Sequence, residues 1–286
     1  MVLTLLQAKV GMANKVDQQV VDQFRRGSIL MDRLIYDDAV SPGTGGPTLV
    51  YGYTQLKTPA TAGFRAINSE YTANEAVKES KTAKLAVLGG SFEIDRVIQS
   101  TSGQVAEASF QMEQKIKGVQ NAFHNALING NATTDANAFD GLDKLLTGTS
   151  TELGTTAVVD LTTIATQAAA FAFLDKIDAF LSDLDGVPSM LMGNAKLMNK
   201  IKSAARYAGY LSQTEDAFGR KVDAYDGIPL VDLGYYTSVN AGTPSTGSVV
   251  GVFDRTVGTA QTGLTDLYAV NIGLDGFHGV TPMGGV

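Results

Sequence analysis

Residues 101–130 read TSGQVAEASFQMEQKIKGVQNAFHNALING, and this stretch decides how the chain is organised. Thr101 with Gln104 predicts a capping box at the start of a helix, and Asn129-Gly130 predicts a left-handed stop at its end. At about 1.5 Å per residue the helix would be roughly 40 Å long, well beyond the usual length of about 11 to 12 residues. Apolar side chains recur along one face at spacings of three and four: Val105, Ala108, Met112, Ile116, Val119, Phe123 and Ala126. We expect a strut that packs this stripe against strands of its own domain, with Gly118 in its interior permitting a bend or a close neighbour.

Composition limits the classes of function that remain. The 286 residues are 44% hydrophobic, enough for a substantial core, and carry a net charge of -7, which excludes a general attraction to nucleic acid or to an anionic membrane surface. The chain has no cysteine and two histidines, which excludes disulfides and thiolate chemistry and leaves little for imidazole metal sites. No run approaches the about 20 apolar residues of a membrane helix, so we expect synthesis in the cytosol.

A hairpin is predicted ahead of the strut. Residues 41–47, SPGTGGP, are dense in turn formers, and alternating patterns then predict two strands near residues 49–53 and 77–87. The segment 57–74 between them is polar and has few large apolar residues. Because an isolated two-stranded ribbon is marginal in water, we expect this one to lie on another subunit. The alternative is a solvated loop insertion.

The second half of the chain predicts a mixed α+β region. A helix over 164–184 carries an apolar stripe of Phe171, Leu174, Ile177, Leu181 and Leu184. A strand is predicted at 189–192, then a helix capped by Asn194 and ended by Gly209, then strands at 228–233, 249–253 and 266–272. The outer face of the second helix is basic: Lys196, Lys200, Lys202 and Arg206. We interpret it as a solvated face or an inter-subunit charge patch in preference to a phosphate contact, since the chain is acidic.

No catalytic or metal-binding constellation is predicted. The GTGGP segment lacks the lysine and hydroxyl of a phosphate loop, and the carboxylates near Asp140 lack the turn glycine and closing glutamate of a calcium loop. His124 is expected to be solvated or at an interface, and His278 has no partner in sequence. We therefore expect no cofactor and no enzyme activity; the alternative is an enzyme that uses carboxylates brought together by folding, such as Glu107 and Asp160.

The order of these elements resembles the major capsid proteins of tailed bacteriophages, which have the Hong Kong 97-type fold. The pieces that carry the resemblance are KLAV at 84–87 with SFEI at 91–94, Asn-Gly at 129–130, FDGL at 139–142, MLMGN at 190–194 and DGIPLV at 226–231. Each motif alone is unspecific, and the resemblance rests on their order along nearly the whole chain.

The resemblance implies an architecture with five parts. Residues 1–40 would be an N-terminal arm and 41–98 the extended loop with its base strands. Residues 99–159 would be a peripheral domain with the spine helix at 102–130, residues 160–265 an axial domain, and 266–286 a return to the peripheral domain. No scaffolding segment is seen before the arm, which implies a separate scaffolding protein or a processed chain.

The function implied is a structural subunit of an icosahedral phage head. Its partners would be further copies of itself in hexamers and pentamers, a separate scaffolding protein, a portal, a possible decoration protein, and packaged double-stranded DNA contacted without sequence specificity, with no membrane. It would be found in the virion, and in the host cytoplasm during assembly. An encapsulin-like compartment, which shares this fold and encloses protein cargo, is the alternative. The expected inter-subunit contacts are Tyr53, Lys57, Arg65, Glu70, Lys200 and Arg206.

Overall fold

The computed structural model describes residues 28–40, 45–46, 48–97, 107–153, 158–161, 164, 166–184, 186–209, 211–215, 221–239 and 244–282. Within them are five named helices: α1 Ile29–Arg33, α2 Glu107–Asn129, α3 Leu142–Leu146, α4 Gln167–Ser182 and α5 Ala195–Ala208. The predicted capping box at Thr101, the short helix expected between residues 16 and 24, and most of the proposed arm lie outside the described residues.

Local signals set the ends of α5. The Asn194 side chain accepts a hydrogen bond from the Lys196 amide at 2.9 Å, and Gly209 ends the helix with φ of 77°. Both ends were predicted from the sequence and are confirmed. A capping side chain at one end and a left-handed glycine at the other satisfy helix-end backbone groups that would otherwise lack partners.

A five-stranded sheet forms the centre of the larger unit. Its strand order is β12-β4-β7-β6-β5, with bounds of Met190–Gly193 for β4, Leu211–Glu215 for β5, Lys221–Tyr225 for β6, Ile228–Asp232 for β7 and Leu267–Val270 for β12. β4 and β7 run parallel and the other neighbours are antiparallel. β12 lies beyond the predicted axial boundary at residue 265, yet it pairs with β4 in this sheet.

The sheet has an apolar cluster on each face. Along β4, Leu191 belongs to one cluster, and Met190 and Met192 belong to the other. Alternate residues of a strand point to opposite faces, so a strand covered on both sides needs an unbroken apolar run. The first cluster contains buried residues of α4 and α5; the second contains Leu30 of α1 and the end of α2 at Leu127 and Ile128.

The remaining strands form four two-stranded pairs. β1 Tyr36–Ala39 runs parallel to β13 Gly279–Pro282, and β2 Val50–Thr58 is antiparallel to β3 Val77–Lys84. β8 Tyr235–Val239 pairs with β9 Pro244–Ser248, and β10 Phe253–Val257 pairs with β11 Thr259–Leu264. The strand predicted at 249–253 is wrong: Val249 and Val250 are buried outside any strand, where Asn129 and Asn194 donate to their carbonyl oxygens.

The apolar stripe of α2 faces the core over only part of its length. Met112 and Ile116 are 55% and 53% exposed, so the expected packing of these residues against strands of the same chain is wrong. Further along the same stripe, Phe123 packs against the second apolar cluster, and Val119 and Ala126 are partly buried. A Cβ atom added to Gly118 would meet nothing, since no atom lies within 4 Å of its position.

Two glycines close the loop that follows α2. The Gly141 amide donates to the Gly130 carbonyl oxygen at 2.8 Å, and a Cβ on Gly141 would lie 2.5 Å from the Ile128 oxygen. Asp140 accepts from the Ala132 amide and from Lys144, both at 2.8 Å. The left-handed stop predicted at Asn129-Gly130 is wrong, because neither residue has a positive φ. The Asn-Gly and FDGL motifs are explained by backbone contact, and Asp140 stabilises the loop.

The chain divides into two compact units. One comprises the described residues of Tyr36–Ala86 with those of His278–Val286, and the other comprises the described parts of Met1–Ile35 and Val87–Phe277. This division differs from the five predicted parts, whose boundaries stay predictions. The smaller unit contains β1, β2, β3 and β13.

Candidate functional site

The β2–β3 hairpin is exposed on both faces. In β2 every side chain except Tyr51 is exposed, and in β3 every side chain except Glu79 is exposed. The register runs from Val50 opposite Lys84 to Thr58 opposite Val77, with one irregularity between Leu56 and Thr58. Two isolated strands are marginal in water because neither face is covered. The described strands of this ribbon are therefore not stabilised by packing of their own faces.

Side chains fix the base of the hairpin within the smaller unit. The Tyr51 hydroxyl donates to Asp37 of β1 at 2.8 Å, which together with burial raises the pKa of Tyr51. The His278 ring meets the Tyr51 ring edge to face, with centroids 5.7 Å apart. His278, which had no partner in sequence, is thus brought by folding to the strand that starts the hairpin.

The tip of the hairpin carries an ordered turn with two bare apolar side chains. Arg65 donates to the Ser69 carbonyl oxygen at 2.8 Å and lies over the Tyr71 ring at 5.1 Å. Phe64 and Ile67 are 110% and 93% exposed. These large apolar side chains are the feature that the sequence interpretation missed. The signal that could have found them is an aromatic and an aliphatic residue within a stretch otherwise made of small and polar residues.

Four of the predicted contact residues lie on this hairpin. Tyr53 is 42% exposed, and Lys57 is exposed beside the irregularity of β2. The pKa of Glu79 is lowered, mainly by its hydrogen bond with Lys81, and the charge of Lys57 lowers it further. Arg65 holds the tip turn, and Glu70 is exposed next to it. Their role as inter-subunit contacts stays a prediction.

The basic face of α5 is divided between two flanks of the helix. Lys202 forms an ion pair with Asp223 of β6 at 2.7 Å, and this contact, with a smaller contribution from Arg206, holds the pKa of Asp223 low. Lys196 and Lys200 lie on the other flank and are exposed. The two predicted contact residues therefore differ: Arg206 faces a carboxylate of its own chain, and Lys200 does not.

His124 is buried, so its predicted place on a solvated surface is wrong. It is 6% exposed, and its Nε2 is 2.7 Å from the Ser28 hydroxyl, 96 residues away in sequence. Burial lowers its pKa, and the nearby Leu233 main chain offsets part of this effect. The other ring nitrogen, Nδ1, makes no hydrogen bond of normal geometry among the described residues. The apolar core around α1 explains why the ring is out of water.

Acidic side chains gather elsewhere than predicted. Asp160 is exposed, and the side chain of Glu107 lies outside the described residues. Asp266 is partly buried, which raises its pKa, and it pairs with Arg255. In the described parts of the chain, no three His, Asp or Glu side chains are placed to hold a metal ion. Among the helices that the structure describes, none combines the length and apolarity needed to cross a membrane.

Comparison with known proteins identifies the fold. The chain matches no protein-family model and no curated protein sequence. Its structure is similar to a chain of the holo-SrpI encapsulin complex from Synechococcus elongatus, with a TM-score of 0.54 and 13% identity over 99% of this chain and 80% of that chain. A chain from the capsid of a native GTA particle gives a TM-score of 0.46 and 14% identity, covering 81% of this chain and 76% of that one. A chain of Mycobacterium phage Bobi gives a TM-score of 0.41 and 10% identity, covering 99% of this chain and 100% of that one.

These likenesses concern the fold alone, and the assignment of the fold rests on the encapsulin match. The mixed helix and strand architecture predicted from the sequence is confirmed, and it is a Hong Kong 97-like fold.

Proposed function

We propose that this chain is the subunit of a closed protein shell, and that copies associate through the β2–β3 hairpin. The observation that supports the proposal is the exposure of the β2–β3 hairpin. Both of its faces are exposed, and its tip presents Phe64 and Ile67 to solvent. A ribbon that packs on a second copy gains the covered face it lacks. The fold agrees with this role.

The finer form of the proposal is a major capsid protein of a tailed bacteriophage. The hairpin would be the extended loop, α2 the spine helix of a peripheral domain, and the five-stranded sheet with α4 and α5 the axial domain. The shell would enclose double-stranded DNA and would be built with a separate scaffolding protein and a portal, with a decoration protein as a further possible partner. The subunit would reside in the virion after assembly in the host cytoplasm.

A second candidate is an encapsulin-like compartment with protein cargo. The likeness in fold to the chain of the holo-SrpI encapsulin complex favours keeping it. Mass spectrometry and nucleic-acid staining of purified particles separate the two, since a head contains DNA and a compartment contains one enriched protein.

The hairpin tip provides the test of the proposal. Replacing Phe64 and Ile67 together by serine removes apolar surface that stabilises an interface by about 1.5 to 3 kcal/mol per residue when buried. Because both side chains are exposed in the subunit, its own stability should change by less than about 0.5 kcal/mol. We expect particle yield by sedimentation to fall at least about ten-fold.

The matched control is Val187→Ser, which removes an apolar side chain that is 75% exposed outside the hairpin. It should leave particle yield unchanged. Wild-type yield from the doubly substituted tip would refute the role given to the hairpin. A larger deletion, of residues 57–74, should likewise leave the rest of the subunit folded and abolish assembly.

A further inference from the structure

One flank of α4 is acidic and aromatic. Ala170, Phe173, Leu174 and Ile177 are the buried residues of α4. Phe171, Asp175 and Asp178 follow each other at spacings of four and three along one flank of the same helix, and all three are exposed. Phe171 is 41% exposed, which corrects its predicted place in the buried stripe. Asp178 accepts a hydrogen bond from Tyr225 at 2.6 Å, so it is held by its own chain, whereas Asp175 is exposed and influences the same tyrosine through its charge.

One flank of α5 is basic and aromatic. Lys196, Lys200 and Tyr207 recur at spacings of four and seven, and Tyr207 is 50% exposed. The helix sequence AKLMNKIKSAARYA contains four cations and no carboxylate. Among the described residues neither Lys196 nor Lys200 forms an ion pair, and the charges of Lys202 and Arg206 act on Asp223 from another flank. An unneutralised basic stripe is unusual on a chain whose net charge is -7.

We infer that these two stripes are the two halves of an interface between copies of this chain: the acidic stripe on α4 of one copy contacts the basic stripe on α5 of the next. The inference rests on the shell function proposed above and names the surfaces that join neighbours. Complementary charge and an exposed aromatic side chain on each side are what the contact requires.

The charge pattern disfavours a two-fold axis that passes through either stripe. A two-fold interface through the α5 stripe would place lysines against lysines, and one through the α4 stripe would place carboxylates against carboxylates. Like charges in contact are unfavourable. A contact between two different stripes avoids both, whether it is made once, head to tail, or twice across a two-fold axis that lies between the stripes.

The test exchanges one charge on each stripe. Lys200→Glu and Asp175→Lys should each weaken association of subunits at least about five-fold at low salt, since each places like charges across the interface. The variant carrying both changes should recover most of the wild-type association, because the charges are then exchanged and still complementary. The weakening should shrink in about 0.5 M salt, where charges are screened.

A matched control is Lys176→Glu, which makes the same charge change as Lys200→Glu. Lys176 lies on α4, on a different flank from the acidic stripe. It should leave association unchanged. Sedimentation velocity gives the association state, and circular dichroism checks that each variant is folded. All three positions are exposed, so folding should not change.

Four outcomes would overturn the inference. If wild-type shells form and both single reversals assemble normally, the stripes are not the interface and the shell function stands. If the doubly changed variant is no better than the single ones, the two stripes do not contact each other. If Lys200→Glu assembles normally and instead abolishes binding of a double-stranded DNA probe, the basic stripe is a nucleic-acid contact. A wild-type chain that never associates refutes the shell function itself, and the inference falls with it.

Discussion

Gly141→Ala should destabilise the subunit strongly, because the added carbon has no space. The backbone of Gly141 has φ of -81° and ψ of 173°, which alanine adopts without strain. Its Cβ, however, would lie 2.5 Å from the Ile128 oxygen, 2.6 Å from the Gly130 nitrogen and 2.7 Å from the Ile128 carbonyl carbon. These are backbone atoms at the end of α2, so a change of rotamer cannot relieve the contact.

The expected cost follows from what must move. Separating the two backbone segments breaks the 2.8 Å hydrogen bond from the Gly141 amide to Gly130 and shifts Leu142, which is buried in the core. Overpacking and a lost hydrogen bond together cost about 2 to 4 kcal/mol. Urea denaturation followed by circular dichroism measures this as a lower midpoint with an unchanged slope.

Gly118→Ala is the matched control, since it makes the same chemical change inside α2 with nothing within 4 Å of the new carbon. It should stabilise the subunit by about 0.5 to 1 kcal/mol, because alanine is favoured over glycine in a helix. A Gly141→Ala variant within about 0.5 kcal/mol of wild type would refute the steric account of the loop closure.

Further predictions concern stability. Burial lowers the pKa of His124 below its usual 6.5, so its contribution to stability is present above pH 6.5 and is lost as the pH falls through the folded-state pKa. His124→Gln should therefore reduce the difference in unfolding free energy between about pH 7.5 and about pH 5. Asn194→Ala should cost about 2 kcal/mol in urea denaturation, because Asn194 caps α5 and donates from a buried position to the Val250 carbonyl oxygen at 2.8 Å. Thr166→Ala removes a cap at the exposed start of α4 and should cost about half as much; equal costs would contradict the weight given to burial.

Features encoded locally were predicted well. Asn194 and Gly209 mark the ends of α5 because capping depends on residues within one turn of the helix end. The run Met190 to Met192 was predicted as a strand, and it is one, since a short apolar run between turn residues suits a strand buried on both faces.

Features that depend on distant contacts were not predicted. The apolar line through Met112 and Ile116 was found in the sequence, but periodicity cannot tell which surface covers it. His124 is buried because Ser28 and the core around α1 meet it across 96 residues of chain. Phe171 was assigned to the core stripe of α4, but the helix buries the preceding residue, Ala170. Adjacent residues of a helix lie about 100° apart, so Phe171 is turned away from the core.

The hairpin was predicted from the sequence, and the character of its tip was not. Alternation in the sequence predicted the ribbon that β2 and β3 form. The contact of this ribbon with another subunit, expected from the marginal stability of isolated ribbons, stays a prediction. The tip was described as polar, whereas its most exposed large side chains are Phe64 and Ile67. Exposure depends on the whole fold, so composition alone could not rank these residues.

Negative-stain electron microscopy of the purified wild-type chain, produced alone and together with a scaffolding protein, tests the central claim most directly. The shell account predicts closed hollow particles of uniform diameter built from the 30.1 kDa subunit. A chain that stays a monomer of that mass under every such condition would contradict it.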